Sequence, residues 1–163
     1  MSSLLERLER IKDDRGMMAN LRCALVANKK HRAWPALHRL GVAVDNDIAA
    51  FITGLFATHP EVTENGNFGT TCKAIERQRN ESSNDDSKLT STERRFQHLL
   101  SAEVGDEVKQ RVLRMVLMAK SQGISVNYGK LLNDLRYWND RTKTEWAAAY
   151  WAPNAESIDE EAV

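Results

Sequence analysis

The sequence is short of the residues that build most small functional modules. Its 163 residues include 2 cysteines and 3 prolines, and aromatic side chains make up 7% of the chain. Two thiols, Cys23 and Cys72, lie far apart and each within a helical pattern. That excludes a disulfide-built scaffold, and both are expected as buried free cysteines. The prolines fall at the ends of helical patterns rather than inside them, which excludes a proline-rich spacer. No run of roughly 18 apolar residues occurs, so no membrane span is expected. The first residues are charged from Glu6 onward and contain no apolar signal core. The expectation is a cytoplasmic protein, long enough for one full core or two small helical subdomains.

Net charge is also missing, with 23 basic residues against 23 acidic ones. Its distribution says more than its sum. Residues 156–163 hold four acids and no base, and residues 80–88 hold three acids and one lysine. Without those two segments, 22 bases face 16 acids, an excess of six positive charges. That surface is basic enough to grip a nucleic-acid backbone locally, though not as basic as a free-standing binding domain. Ordinary solvated helix faces are the alternative reading.

What the chain does have is helical periodicity. Residues 2–14 place Leu4, Leu8 and Ile11 on one face. Residues 17–27 continue with Met18, Leu21 and Leu25, and would put Arg22 and Lys29 on one side if the helix runs that far. Lys29-Lys30-His31-Arg32 is the densest basic run and reads as a turn, either solvated or in contact with phosphate. Trp34-Pro35 opens a short helix that Gly41 ends. Asp45 or Asn46 caps a helix whose Ile48, Phe51, Ile52, Leu55 and Phe56 are core. Residues 68–79 bring Phe68, Cys72 and Ile75 inward. The apolar pattern then vanishes over residues 80–89, which read as a mobile polar linker.

Thr90 and Glu93 form a capping box for a helix with Phe96, Leu99 and Leu100 inward. From Asp106 to Gln122, Val108, Val112, Met115, Val116 and Ala119 form a buried arc, with Arg111 and Arg114 on the other side; Gly123 closes it. Asn127 caps the next helix, where Tyr128, Leu131, Leu132, Leu135 and Trp138 share a face. Lys130 points away and Arg136 lies at the flank. Asn139-Asp140 caps the last helix, with Arg141 and Lys143 in its first turn, a placement that suggests an anion. Trp146, Ala149 and Tyr150 pack inward. The expected fold is all-α: two packed helical bundles, residues 1–79 and 90–152, joined by the 80–89 linker and followed by a disordered acidic tail, residues 153–163. Trp138 and Trp146 read as packing residues, whereas Trp34 is open between packing and base stacking.

Catalytic constellations are absent from the sequence. His31, His38, His59 and His98 make no metal-ligand spacing with a cysteine, and no His-Glu-x-x-His, Gly-x-Ser-x-Gly or phosphate-binding glycine loop occurs. The carboxylates stand among bases at helical spacing and read as solvated pairs. No cofactor or metal is expected, and no enzymatic activity.

Several segments taken in order are more specific than any one alone. These are Arg22 before Lys29-Lys30, then residues 32–41 (RAWPALHRLG), 93–101 (ERRFQHLLS) and 131–138 (LLNDLRYW), and Arg141-x-Lys143 before residues 146–150 (WAAAY). In this order and spacing the chain resembles the CasB family, the small subunit of the Cascade surveillance complex in type I-E CRISPR systems. The resemblance covers most of residues 22–151. It implies an all-α subunit without catalytic activity, present in two copies beside the other Cascade subunits. Such subunits line a basic groove near the hybrid of guide RNA and target DNA and help to hold the displaced strand. It carries over Arg22, Arg94, Arg95, Arg114, Arg141 and Lys143 as backbone contacts. Helix geometry adds Arg111. Lys29, Lys30 and Arg32 match loosely in position, and Arg136 joins the set from within the 131–138 segment. Ser101 stands where a relative carries an arginine, so that contact is missing or supplied elsewhere. Two other readings remain beside this one: a protein–protein adaptor with no direct nucleic-acid contact, and a helical nuclease built from dispersed acids.

Overall fold

Side-chain oxygens start most of the helices. The computed structural model describes residues 3–79 and 88–153. Its α-helices are α1 (Leu4–Ile11), α2 (Arg15–Arg22), α3 (Trp34–Arg39), α4 (Asp47–Thr58), α5 (Phe68–Arg79), α6 (Ser91–Leu100), α7 (Asp106–Gln122), α8 (Tyr128–Arg136) and α9 (Asp140–Tyr150). Two 3-10 segments, Cys23–Leu25 and Ala27–Arg32, connect α2 to α3. Ser3, Asp14, Asn46, Thr90, Asn127 and Asn139 each accept a hydrogen bond from a backbone N–H in the first turn that follows. Thr90 and Glu93 complete the reciprocal capping box. Gly123 ends α7 in the left-handed region at φ 67°. The fold is all-α. Among the described residues the strand-like pairing is one isolated parallel bridge, Val62 with Val126.

Helix α4 is the axis of the molecule. Residues 51–57 are all buried, so the helix is apolar nearly all round and needs neighbours on every side. It packs on α2 and the first 3-10 segment on one side and on α8 and α7 on the other. Gly54 permits the first contact, because a Cβ there would lie 2.8 Å from Leu25 Cδ2. His59, just past the end of α4, is buried and ties two loops together. Its Nε2 lies 2.6 Å from the Ile124 carbonyl oxygen, and its own carbonyl accepts from Tyr128 Oη at 2.5 Å.

Helix α5 packs on α9, α7 and α6, all of which lie beyond the polar segment. Phe68 meets the Trp146 ring at 5.3 Å between centroids, and Trp146 stands 4.8 Å from Trp138. The apolar core therefore runs without a break from the first half of the chain into the second. The polar linker expected at 80–89 and the acidic tail expected at 153–163 lie outside the described residues, except for Lys88, Leu89 and Pro153.

Three local expectations need correction. The helix starting near Met17 does not reach Ala27. It stops at Arg22, and Val26 turns extended at φ −111° and ψ 115°, so Arg22 and Lys29 do not share a helix face. The basic run is not an open turn but lies in the second 3-10 segment. Cys72 is fully buried as expected, whereas Cys23 is half-buried; both are free thiols.

Candidate nucleic-acid interface

The candidate bases fall into groups set by the elements that carry them. The first group stands on the 3-10 segment after Val26. There, Lys29 N bonds to Val26 O at 2.9 Å and Ala33 N to Lys30 O at 3.0 Å. With three residues per turn, side chains three apart stand in line. Lys29 and Arg32 are therefore stacked along one edge, with Lys30 and His31 beside them, and all four are exposed. Arg22 stands apart from them at the end of α2. Its guanidinium Nε donates to the Ala57 carbonyl at 2.9 Å, which fastens α2 to the last turn of α4.

The second group lies on α6 and α7. Phe96 and Leu99 turn into the core, which leaves Arg94 and Arg95 exposed on the outer side of α6. Arg114 is exposed on α7, where Val112, Met115 and Val116 are buried. Arg111, one turn earlier, has a different task. It pairs with Glu107 at 2.8 Å and donates to His98 O at 2.6 Å and to Ser101 Oγ at 3.3 Å. With 20% of its side chain exposed, it satisfies carbonyl and hydroxyl oxygens at the end of α6 and joins that helix to α7. Ser101, where the resemblance expected an arginine in a relative, is thus itself a partner of an arginine.

The third group is the corner between α8 and α9, which holds Arg136, Arg141 and Lys143. Arg136 is exposed at the last position of α8. Arg141 reaches Glu145 at 3.3 Å, yet 88% of its side chain is exposed. An ion pair that open holds the arginine only weakly. Lys143 sets its ammonium 5.5 Å from the centre of the Trp138 ring. The ring is itself fixed, because Trp138 Nε1 donates to Ala102 O at 2.9 Å. The free N–H groups at the start of α9 already have company. Asn139 accepts from Thr142 N at 3.1 Å, and Asp140 sits in the first turn.

Charge pairing sorts the set further. Among the described residues, Lys29, Lys30, Arg32, Arg94, Arg95, Arg114, Arg136 and Lys143 have no carboxylate partner within ion-pair distance. Metal chemistry has no such assembly: among the described residues no group of three or more His, Cys, Asp or Glu side chains could hold a metal ion. No described helix is long and apolar enough to cross a membrane.

A family model described as "CRISPR-associated protein Cse2" matches residues 17–151. This chain belongs to the CasB (Cse2) family of CRISPR-associated proteins. Solved structures of the family have the same fold. CasB from Thermus thermophilus is 19% identical, with a TM-score of 0.70 over 92% of this chain and 96% of that one. A second T. thermophilus structure, described as a CRISPR-associated protein of the Cse2 family, is 18% identical, with a TM-score of 0.71 over the same shares. CasB from M. ruber is 21% identical, with a TM-score of 0.66 over 99% of this chain and 98% of that one. No curated relative is found by sequence comparison.

Two features of this Cse2-family chain escaped the sequence reading. Lys130, expected to point away, pairs instead with Asp134 at 3.0 Å. Lys109 drew no attention, yet it stands half-buried over a cavity that Lys30 and Trp34 also line. The signal available for the cavity was Trp34 itself, a large ring placed directly after a basic run.

Proposed function

We propose that this chain is the non-catalytic small subunit of a type I-E Cascade complex. It holds guide RNA, target DNA and displaced DNA by their phosphates and so stabilises the R-loop. The observation that carries this reading is the set of exposed bases that lack an acid partner among the described residues: Lys29, Lys30, Arg32, Arg94, Arg95, Arg114 and Arg136. Neighbouring like charges repel one another, so such clusters do nothing for the stability of the isolated fold. They do suit a phosphate backbone, which supplies affinity without reading sequence.

The energetics fit a protein that assists rather than reads. Exchanging a DNA duplex for an RNA–DNA hybrid is nearly balanced, so backbone contacts tip it. Each contact can be weak, because other Cascade subunits and a second copy of this chain would hold it beside its target and raise the effective concentration. Arg141 and Lys143 belong to the proposed interface, the former through a loose surface pair and the latter on a fixed ring. Arg22 and Arg111 act instead as fasteners of the fold.

The test is target binding by the assembled complex across a salt series. Arg94→Glu and Arg141→Glu should each weaken binding. The slope of log K against log salt should fall by about 0.7 to 0.9 for each phosphate that is no longer neutralised. Unchanged affinity and slope in both variants would remove these residues from the interface. If the purified chain shifts no single-stranded nucleic acid at low salt, the adaptor reading takes its place.

A further inference from the structure

A concave feature lies beside the basic run. The two 3-10 segments, α3, α4 and the start of α7 line an open cavity of about 210 Å³. Its apolar wall comes from Leu25, Leu37, Phe51 and Leu113, and its polar side chains include Lys30, Lys109, Asp47 and Asp106. Trp34 also lines it and is 48% exposed. Helix α3 anchors itself through buried Ala36 and Leu37, so the Trp34 ring is not what holds it down. His31 stands edge-on to that ring at 6.3 Å and 75°.

Size and charge narrow the occupant. The volume is several times the ~30 Å³ share of one water. It is below the roughly 300–1,000 Å³ of sites for drug-sized ligands. It suits one planar ring system. An apolar side chain would fill the wall but make no use of the charged rim, where Lys30, Asp47 and Asp106 are exposed and Lys109 is half-buried. A nucleobase has the matching edge: exocyclic amino and ring N–H groups donate to carboxylates, and ring nitrogens and carbonyls accept from lysines. Its face can stack on Trp34, as unpaired bases do on exposed aromatic rings. The same carboxylates repel a phosphate, which leaves the backbone outside on Lys29 and Arg32.

We propose that this cavity takes one unpaired nucleobase from a single strand whose phosphates lie on the 3-10 segment. Bases carrying an exocyclic amino group are favoured over thymine, because that group offers Asp47 or Asp106 a donor beyond the single ring N–H of thymine. The proposal rests on the phosphate-binding reading and adds to it a site for the base itself.

The test uses the full chain and 5′-labelled 12-mers at low salt, read by fluorescence anisotropy: oligodeoxycytidine, oligodeoxythymidine and an abasic backbone of equal length. The native chain should bind deoxycytidine about tenfold tighter than the abasic strand, within the range that one stacked base supplies. Trp34→Ala should abolish that margin and leave the salt slope unchanged, and Trp34→Phe should restore part of it. The double variant Asp47→Asn, Asp106→Asn should bring deoxycytidine and deoxythymidine together. Thermal melting of each variant checks that the fold persists. If Trp34→Ala and the double variant bind all three strands as the native chain does, while Arg94→Glu still weakens binding, the base site fails and the phosphate reading stands. If the native chain binds none of the three strands, both fail. Loss of co-purification with a protein subunit in Trp34→Ala, with strand binding intact, assigns the cavity to a protein partner and overturns the proposal.

Discussion

Asp134 is 3% exposed and holds two elements together with one carboxylate. It accepts from Trp146 Nε1 at 2.7 Å and from Lys130 Nζ at 3.0 Å, so α9 is pinned to α8 at the centre of the aromatic cluster. Asp134→Ala leaves the buried indole N–H unmet, which costs about 1–3 kcal/mol. Asp134→Asn keeps an acceptor for it and should lose less; urea denaturation separates the two. Glu93 gives a residue-scale prediction in pH. The Thr90 backbone N–H, above all, holds its carboxyl below the ordinary value of 4.5; burial opposes this, and the Trp151 indole and Thr90 hydroxyl add to the lowering. A lowered folded pKa means stability that is present above the ordinary value and lost as pH falls through the folded value. The native chain should therefore be more stable than Glu93→Gln at neutral pH, with the gap closing in acid. Thermal melts at several pH values check the sign. The Thr90–Glu93 box was legible from spacing alone, because both partners lie within one turn. The task of Asp134 was not. Its charge reads as surface although its spacing from Leu131 puts it on the buried face, and its main partner, Trp146, is twelve positions away on another helix.

At the scale of elements, the contact between α5 and α9 depends on a glycine. A Cβ at Gly69 would land on the Trp146 carbonyl oxygen, and that backbone cannot move without shifting α9. Gly69→Ala should cost about 1–3 kcal/mol through overpacking. Gly123→Ala is the control: it sits at φ +67° with nothing within 4 Å of the added Cβ, so its cost is the left-handed conformation alone, about 1–2 kcal/mol. A second substitution distinguishes the mechanisms. Asparagine, which tolerates left-handed backbone, should recover much of the loss at position 123 and none at position 69. Denaturant midpoints of the four variants decide. Most helices were legible in the sequence because caps and apolar spacing are local signals. The path from Arg22 to Trp34 was not, because a 3-10 segment has no apolar period of its own and the basic run hides its geometry. At the candidate site this matters directly: in-line placement of Lys29 and Arg32 comes from three residues per turn, whereas an open turn leaves their relation undefined.

For the whole molecule, the question is whether the two halves of the chain unfold together. Reading boundaries from composition divides the chain where apolar residues stop, at 80–89. The contacts of Phe68 and Gly69 with Trp146, and of α4 with α8, cross that point. Composition could not show this, because apolar faces that pair across a linker look the same as faces that pair within a half. Shared burial makes each half dependent on the other, so we expect one cooperative transition. Two probes report on opposite sides of the linker. Cys72 is fully buried in α5, and burial raises its thiol well above the ordinary value, so it reacts only when the core opens. Trp138, Trp146 and Trp151 follow the other half by fluorescence once Trp34→Phe removes the tryptophan of the first half. In urea, pulsed thiol labelling of Cys72, in a Cys23→Ser background, and tryptophan emission should give the same midpoint. Labelling that precedes the loss of emission would mean that the first half opens alone, and that the molecule presents its basic groups on two independently folding blocks.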